Sequence, residues 1–215
     1  MAEVQKPPFS SNVKLMETSG EPSPEVSSHR WQNDEELMRH VATGDREAIE
    51  NLIKRFQPGI RNLIGRLTAW SADVDDITQE VFLKAWQRAH QFNRQSSLQN
   101  WLYTIAVNQC RNHRRGLSRW WKMLEGFFEQ KRTEPSKTAT APLDQGEAWT
   151  ELQQALQQLS TTDRELLVLS YMEEKTTAEI MKILAISENN LYVRLHRAKE
   201  RLARHLNQAR TEVKT

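Results

Sequence analysis

Between Asp73 and Arg115 the apolar residues fall three and four positions apart, interrupted by one short polar stretch, and that spacing admits helices and little else. Ile77, Val81 and Ala85 mark one face of a first helix, with Phe82 and Trp86 beside them. Leu98, Trp101, Leu102, Ile105 and Ala106 mark a second. Asp73 and Asp76 suit the start of the first helix, because a carboxylate there accepts unpaired backbone N–H groups and favours the positive dipole end. Ser96 with Gln99 fits a capping box for the second. The turn between them runs Gln91-Phe92-Asn93-Arg94-Gln95.

Two charged surfaces follow from this register. Asp76, Gln79 and Glu80 are three and four apart and share an outward face, open to two readings: capping plus a solvated surface, or a docking face for a basic partner. The second helix ends basic at Arg111, Arg114 and Arg115, and a polar turn beside a basic helix end can hold phosphates or an unstacked base. It can equally be a plain loop.

Upstream, Asn33 with Glu36 opens a helix carrying Leu37, Met38 and Val41 that stops at Gly44. Asp45 caps the next, through Ile49, Leu52 and Phe56, and Pro58 is expected to begin a third segment with Ile60, Leu63 and Leu67. Residues 1–32, rich in Pro, Ser and Glu, bury too little apolar surface to offset their ordering entropy and are expected to be a disordered tail. Residues 33–116 then form one helical domain.

Residues 117–146 read as a linker containing an aromatic segment, Trp120, Trp121, Leu124, Phe127 and Phe128, which is open to packing on a neighbouring domain, to partner docking or to a membrane surface. A second helical domain spans 147–215. Trp149, Leu152, Leu156 and Leu159 form one stripe; Ser160 with Asp163 starts a helix bearing Leu166, Leu167, Leu169 and Tyr171. Thr176 with Glu179 is another capping box, and Ser187 precedes a long basic helix with Leu191, Leu195, Ala198 and Leu202 inward. Two helices joined tightly, the second long and basic, describe a helix-turn-helix. Its DNA-facing set is then Ser187, Glu188, Asn189, Asn190, Tyr192, Arg194 and Arg197, with Lys199, Arg201 and Arg204 left for phosphates or solvent; the alternative is a solvated basic helix.

Composition excludes several classes. The single Cys110 leaves no disulfide framework and no cysteine metal site. The His residues lack metal spacing, no Gly-rich phosphate loop is present, and no catalytic constellation competes, so neither enzyme activity, cofactor nor metal is expected. No apolar run reaches the ~20 residues of a membrane span, and a cytoplasmic protein is expected. A net charge of +2 makes clustering, not total charge, the case for nucleic acid.

Two stretches resemble one family. Asp73-Val74-Asp75-Asp76-Ile77-Thr78-Gln79-Glu80-Val81-Phe82-Leu83-Lys84-Ala85-Trp86, followed by Phe92 to Asn108, is similar to region 2 of bacterial RNA polymerase sigma factors of the sigma-70 family, extracytoplasmic function (ECF) subfamily. Leu156 to Arg164, Glu179-Ile180-Met181, Leu184 to Glu188, Leu191 and Arg194 to Lys199 resemble sigma region 4. Ala185 stands where that family usually has Gly, Asn190 replaces Thr, and Tyr192 stands where Lys is frequent. The resemblance implies an all-α fold of two small domains joined by a flexible linker, and an alternative sigma factor that directs core RNA polymerase to a subset of promoters. It implies polymerase docking through Asp76, Gln79 and Glu80. It implies minus-ten recognition through Phe92, Asn93, Arg94, Ser96, Asn108, Arg111, Arg114 and Arg115, and minus-thirty-five recognition through the helix after Ser187. Expected partners are core RNA polymerase, promoter DNA and an anti-sigma factor, in some members anchored in a membrane; without them the chain is expected to be a monomer. The rival readings are a stand-alone helix-turn-helix transcription regulator and an adaptor that binds proteins alone.

Overall fold

The computed structural model describes residues 31, 33–93, 95–125 and 147–212. Among them the secondary structure is helical: α1 (Asp34–Ala42), α2 (Arg46–Thr68), α3 (Val74–Gln87), α4 (Leu98–Glu125), α5 (Glu147–Gln158), α6 (Thr161–Leu167), α7 (Thr177–Leu184) and α8 (Glu188–Glu212). None of these helices is long and apolar enough to cross a membrane. The tail expected over 1–32, save Trp31, lies outside the described residues, as do 126–146 of the expected linker with Phe127 and Phe128.

Side-chain caps set most boundaries. Asn33 Oδ1 accepts from the Glu36 N–H at 2.9 Å, and α1 gives way at Gly44, whose φ of 80° is the left-handed conformation a glycine adopts without strain. Asp45 Oδ1 accepts from the N–H groups of Glu47 and Ala48. Pro58, however, starts nothing: α2 runs through it unbroken. Ile49, Leu52, Phe56, Ile60, Leu63 and Leu67 recur every three or four residues across the proline, so one continuous helix keeps them on the core. Pro58 itself is on the exposed side, where the carbonyl it leaves unpaired can meet water.

Two other expected starts are corrected. Asp73 occupies the N-cap position of α3 without a side-chain cap bond; its Oδ2 lies 3.1 Å from His113 Nε2 instead. For α4 the cap is Ser97, whose Oγ accepts from the Asn100 N–H at 3.2 Å, so the pair Ser96 and Gln99 does not form a box. α4 then continues to Glu125, past the boundary expected at 116.

In the C-terminal half, Ser160 caps α6 and Thr176 with Glu179 closes a full capping box on α7. After α6 the chain takes a π-helical turn, Val168–Met172, which exposes Tyr171 where the apolar stripe would have placed it inward. Buried Arg164 ties this half together: Nε donates to the Leu156 carbonyl, one terminal nitrogen to those of Gln157 and Leu159, and the other crosses to Leu67 on α2. It thereby pairs the carbonyls of Gln157 and Leu159 at the end of α5 and adds a second donor to that of Leu156, which also accepts from the Leu159 N–H at 3.2 Å.

The two halves pack as one body. α4 lies against α7, and α2 against α6 and the π turn. One apolar core runs from Leu37, Leu52 and Leu102 through to Leu169, Ile180 and Leu191. Leu156, Leu159, Leu167 and Ala198 form a smaller cluster within the C-terminal half. At the end of α2 the Trp70 ring covers Gly65, where an added Cβ would lie 2.8 Å from Nε1, and meets Trp149 of α5 edge-on at 5.3 Å.

The α7–α8 turn carries strain. Ala185 is left-handed, at φ 54° and ψ 50°, and its N–H caps α7 by donating to the Met181 carbonyl. An L side chain in that conformation costs ~1 kcal/mol. Ala185→Gly is therefore expected to raise stability by about 0.5 to 1 kcal/mol, read from urea denaturation; a loss of stability would contradict the assigned strain.

Candidate functional site

Three surfaces carry the sequence-derived candidates. On α3, Asp76, Gln79 and Glu80 are all exposed and follow one another along the outer face. Neighbouring Asp75 is set apart, because Arg61 Nε donates to its Oδ1 at 2.7 Å and that bond holds its carboxyl below the usual range. Glu80 has one long contact, accepting from Gln109 Nε2 at 3.5 Å. The row is thus two carboxylates and an amide on a rigid helix, a geometry suited to charge-assisted bonds with basic side chains.

The second surface joins the turn after α3 to the outer side of α4. Phe92 meets Trp101 edge-on at 5.7 Å and is half-buried, which makes it an anchor for the turn. Asn93 is exposed and its Oδ1 accepts from the Gln95 N–H, folding the turn on itself. Arg94 lies outside the described residues. Ser96 is half-buried at a cavity of about 580 Å³, whose walls are Asn93, Trp101 and Thr104 on one side and Glu179 and Lys182 of α7 on the other. Asn108, Arg114 and Arg115 are exposed.

Arg111 is not presented to solvent as its basic surroundings suggest. Glu165 grips it bidentately, accepting from Nε at 2.9 Å and from a terminal nitrogen at 2.6 Å. Two further glutamates of the C-terminal half behave alike. Glu173 accepts from Arg66 at 2.6 Å and from the Tyr103 hydroxyl at 2.5 Å; burial, then the carboxylate, push the Tyr103 pKa up and keep it a donor. Glu179 accepts from Asn100 Nδ2 at 2.6 Å and from the Thr176 N–H and hydroxyl.

Those bonds, the one from Asn100 first, draw Glu179 down to about 2. Since its folded value lies below the ordinary 4.5, its contribution to stability is complete above that pH and is lost as pH falls toward 2. Sequence reasoning did not single out Asn100, Glu165 or Glu173, and read Glu179 as a cap and as part of the region 4 pattern. A buried Asn on the α4 face was the one local signal available.

The third surface is the start of α8. Leu191 and Ala198 are buried and Leu195 half-buried, while Ser187, Glu188, Asn189, Asn190, Tyr192, Arg194 and Arg197 all face out. The amphipathic register thus places the whole expected row on one accessible side. Farther along, Arg201 is engaged by buried Asp163 at 2.5 Å, and Lys199 sits 5.0 Å over the Tyr171 ring, so neither is simply a solvated charge. Arg204 remains exposed. Among the described residues no group of His, Cys, Asp and Glu is placed to hold a metal ion.

Known proteins share both halves. Residues 52–125 match the family model for Sigma-70 region 2, and residues 149–202 match that for Sigma-70, region 4. The chain is 31% identical over 186 residues to the ECF RNA polymerase sigma factor SigM of Mycobacterium tuberculosis, covering 86% of this chain and 90% of that protein. It is 38% identical over 80 residues to the ECF RNA polymerase sigma-E factor of Escherichia coli, covering 37% and 41% of the two chains. Its fold resembles that of the sigma factor RpoE of Bartonella quintana, solved with the anti-sigma factor NepR, at a TM-score of 0.58 and 23% identity over 74% of this chain and 96% of that one. A second likeness, to CnrH solved with the cytosolic domain of CnrY, has a TM-score of 0.56 and 21% identity over 81% and 97%. With both regions present in order and a relative matched along nearly its whole length, the chain belongs to the ECF family of RNA polymerase sigma factors, which direct transcription initiation at promoters.

Proposed function

We propose that this chain is an alternative sigma factor that joins core RNA polymerase through Asp76, Gln79 and Glu80 and opens a selected set of promoters. As a member of a family of transcription initiation factors it acts on RNA polymerase in the cytoplasm and carries out no catalysis of its own, a reading that the family match supports. The turn from Phe92 to Ser97, with Asn108 and the α4 arginines, reads the minus-ten element. The exposed row from Ser187 to Arg197 reads the minus-thirty-five element. The division of labour follows the domains 33–116 and 147–215. The observation carrying this reading is the α8 row, six outward polar side chains on a helix whose opposite side is core, with exposed Ser187 just before it. An anti-sigma factor is the expected regulator, a reading supported by the similarly folded sigma factor of Bartonella quintana, which was solved with one.

Run-off transcription with purified core polymerase, with and without the chain, tests the proposal. New promoter-specific transcripts are expected; operator binding without transcripts would favour a stand-alone regulator. Arg194→Ala is expected to weaken promoter binding by about 1 to 3 kcal/mol at one base position. An equal loss on every sequence would reassign Arg194 to a phosphate.

A further inference from the structure

Among the described residues the large apolar or aromatic side chains left exposed are Tyr171, Tyr192 and Val193. Tyr171 lies 5.0 Å from the Lys199 ammonium, which sits over its ring, and Tyr192 carries a hydroxyl that water can pair. Val193 holds no polar atom and is 51% exposed. Packing does not explain it. Val193 is two residues from buried Leu191 and two from half-buried Leu195, and at about 100° per residue that places it on the opposite side of α8 from the core. Helix formation does not explain it either, because a β-branched residue is a poorer helix former than the arginines at the neighbouring exposed positions 194 and 197. Its position does. Asn189 and Asn190 precede Val193 by four and three residues, and His196 and Arg197 follow it by three and four, so all four adjoin it on the helix surface, and all four are exposed. Val193 is therefore the middle of the row assigned above to the minus-thirty-five element, within the first turns of α8.

We propose that Val193 reads a thymine of the minus-thirty-five element through the C5-methyl group of the base, an inference that rests on the reading of α8 given above. Of the four DNA bases thymine alone presents a methyl group in the major groove, and the N-terminal residues of a recognition helix are the ones that reach base edges. Val193 can bury against that methyl and has nothing to offer a polar edge. A cytosine or adenine amino group facing it would give up water without gaining an acceptor, and the guanine oxygen would gain no donor. The other three bases are thus disfavoured by the same side chain that favours thymine. The neighbours divide the remaining work: the Asn189 and Asn190 amides suit adenine and the Arg197 guanidinium suits guanine, so the thymine is expected beside bases that those side chains take.

The test uses holoenzyme assembled from core polymerase and the full chain. Binding duplexes are selected from a randomised library, and each thymine of the enriched upstream element is then replaced in turn by deoxyuridine, which lacks only the C5-methyl. At one position the replacement should weaken wild-type binding roughly fourfold, the contribution of about one buried methyl or methylene group. Val193→Ser removes both methyls and should bind the thymine and deoxyuridine duplexes equally at that position, while any sensitivity elsewhere in the element is kept. Serine and valine are similar helix formers and the position is exposed, so α8 should survive, which circular dichroism checks. Should the serine variant misfold, Val193→Ala, a better helix former, takes its place with the same expected result. An enriched element without thymine, no position sensitive to deoxyuridine, or a sensitivity that the variant shares in full overturns the inference and leaves the sigma reading standing. If the holoenzyme enriches no upstream element at all, the reading of α8 fails and the inference fails with it.

Discussion

Arg164→Ala should lower the stability of the folded chain by about 3 kcal/mol, because each buried acceptor left without a donor costs about 1 to 3 kcal/mol and two are lost at once. The carbonyls concerned belong to Leu156, Gln157, Leu159 and Leu67. Gln157 is exposed and can recover water, and the Leu156 carbonyl keeps the Leu159 N–H at 3.2 Å, whereas Leu159 and Leu67 are buried residues whose carbonyls lose this donor. Burial, helped by nearby Arg114, draws the Arg164 guanidinium down to about 10, so it remains a cation at neutral pH and its bonds are charge-assisted. Arg164→Lys should recover a minor part, since one ammonium on a flexible stem cannot span the end of α5 and the Leu67 carbonyl together. Urea unfolding followed by circular dichroism measures both variants. A loss under about 1 kcal/mol for the alanine variant would mean the carbonyls find water and Arg164 does not hold α5, α6 and α2 together.

The helices were legible in the sequence where the determinant was local. Asn33, Asp45, Ser160 and Thr176 each bond to an N–H two or three residues on, so composition at one turn suffices to find them. Pro58 misled because its local preference for a helix start competes with an apolar stripe that extends beyond the turn containing it. Ser96 was the wrong serine by one residue, since either of two adjacent hydroxyls can cap the same turn and the backbone geometry decides between them. Of the site, the outward rows on α3 and α8 followed from periodicity, because the inward positions leave one exposed side. The seam between the two halves did not follow. Glu165 and Arg111, or Glu173 and Arg66, are far apart in the chain, and periodicity says which face of a helix is polar, not which other helix comes to meet it.

Reversing both carboxylates of the α3 row, Asp76→Lys with Glu80→Lys, is expected to weaken association with core RNA polymerase roughly 100-fold at low salt. That is about 3 kcal/mol, within the range for like-charge juxtaposition at an interface. Both side chains are exposed, and the buried positions of α3, including Ile77, Val81 and Ala85, are untouched, so the fold should survive. A lysine in the first turn of α3 opposes the helix dipole and accounts for at most about 1 kcal/mol of stability, which circular dichroism can monitor. Asp75 supplies an internal control. Its charge is already answered by Arg61, so Asp75→Asn should alter polymerase affinity little. The effect of the double reversal should also shrink with added salt, as the screening length falls from about 10 Å at 0.1 M to about 3 Å at 1 M. Equal affinity of wild type and double variant at low salt would leave the α3 row as a solvated face, and polymerase docking would have to be sought elsewhere on the chain.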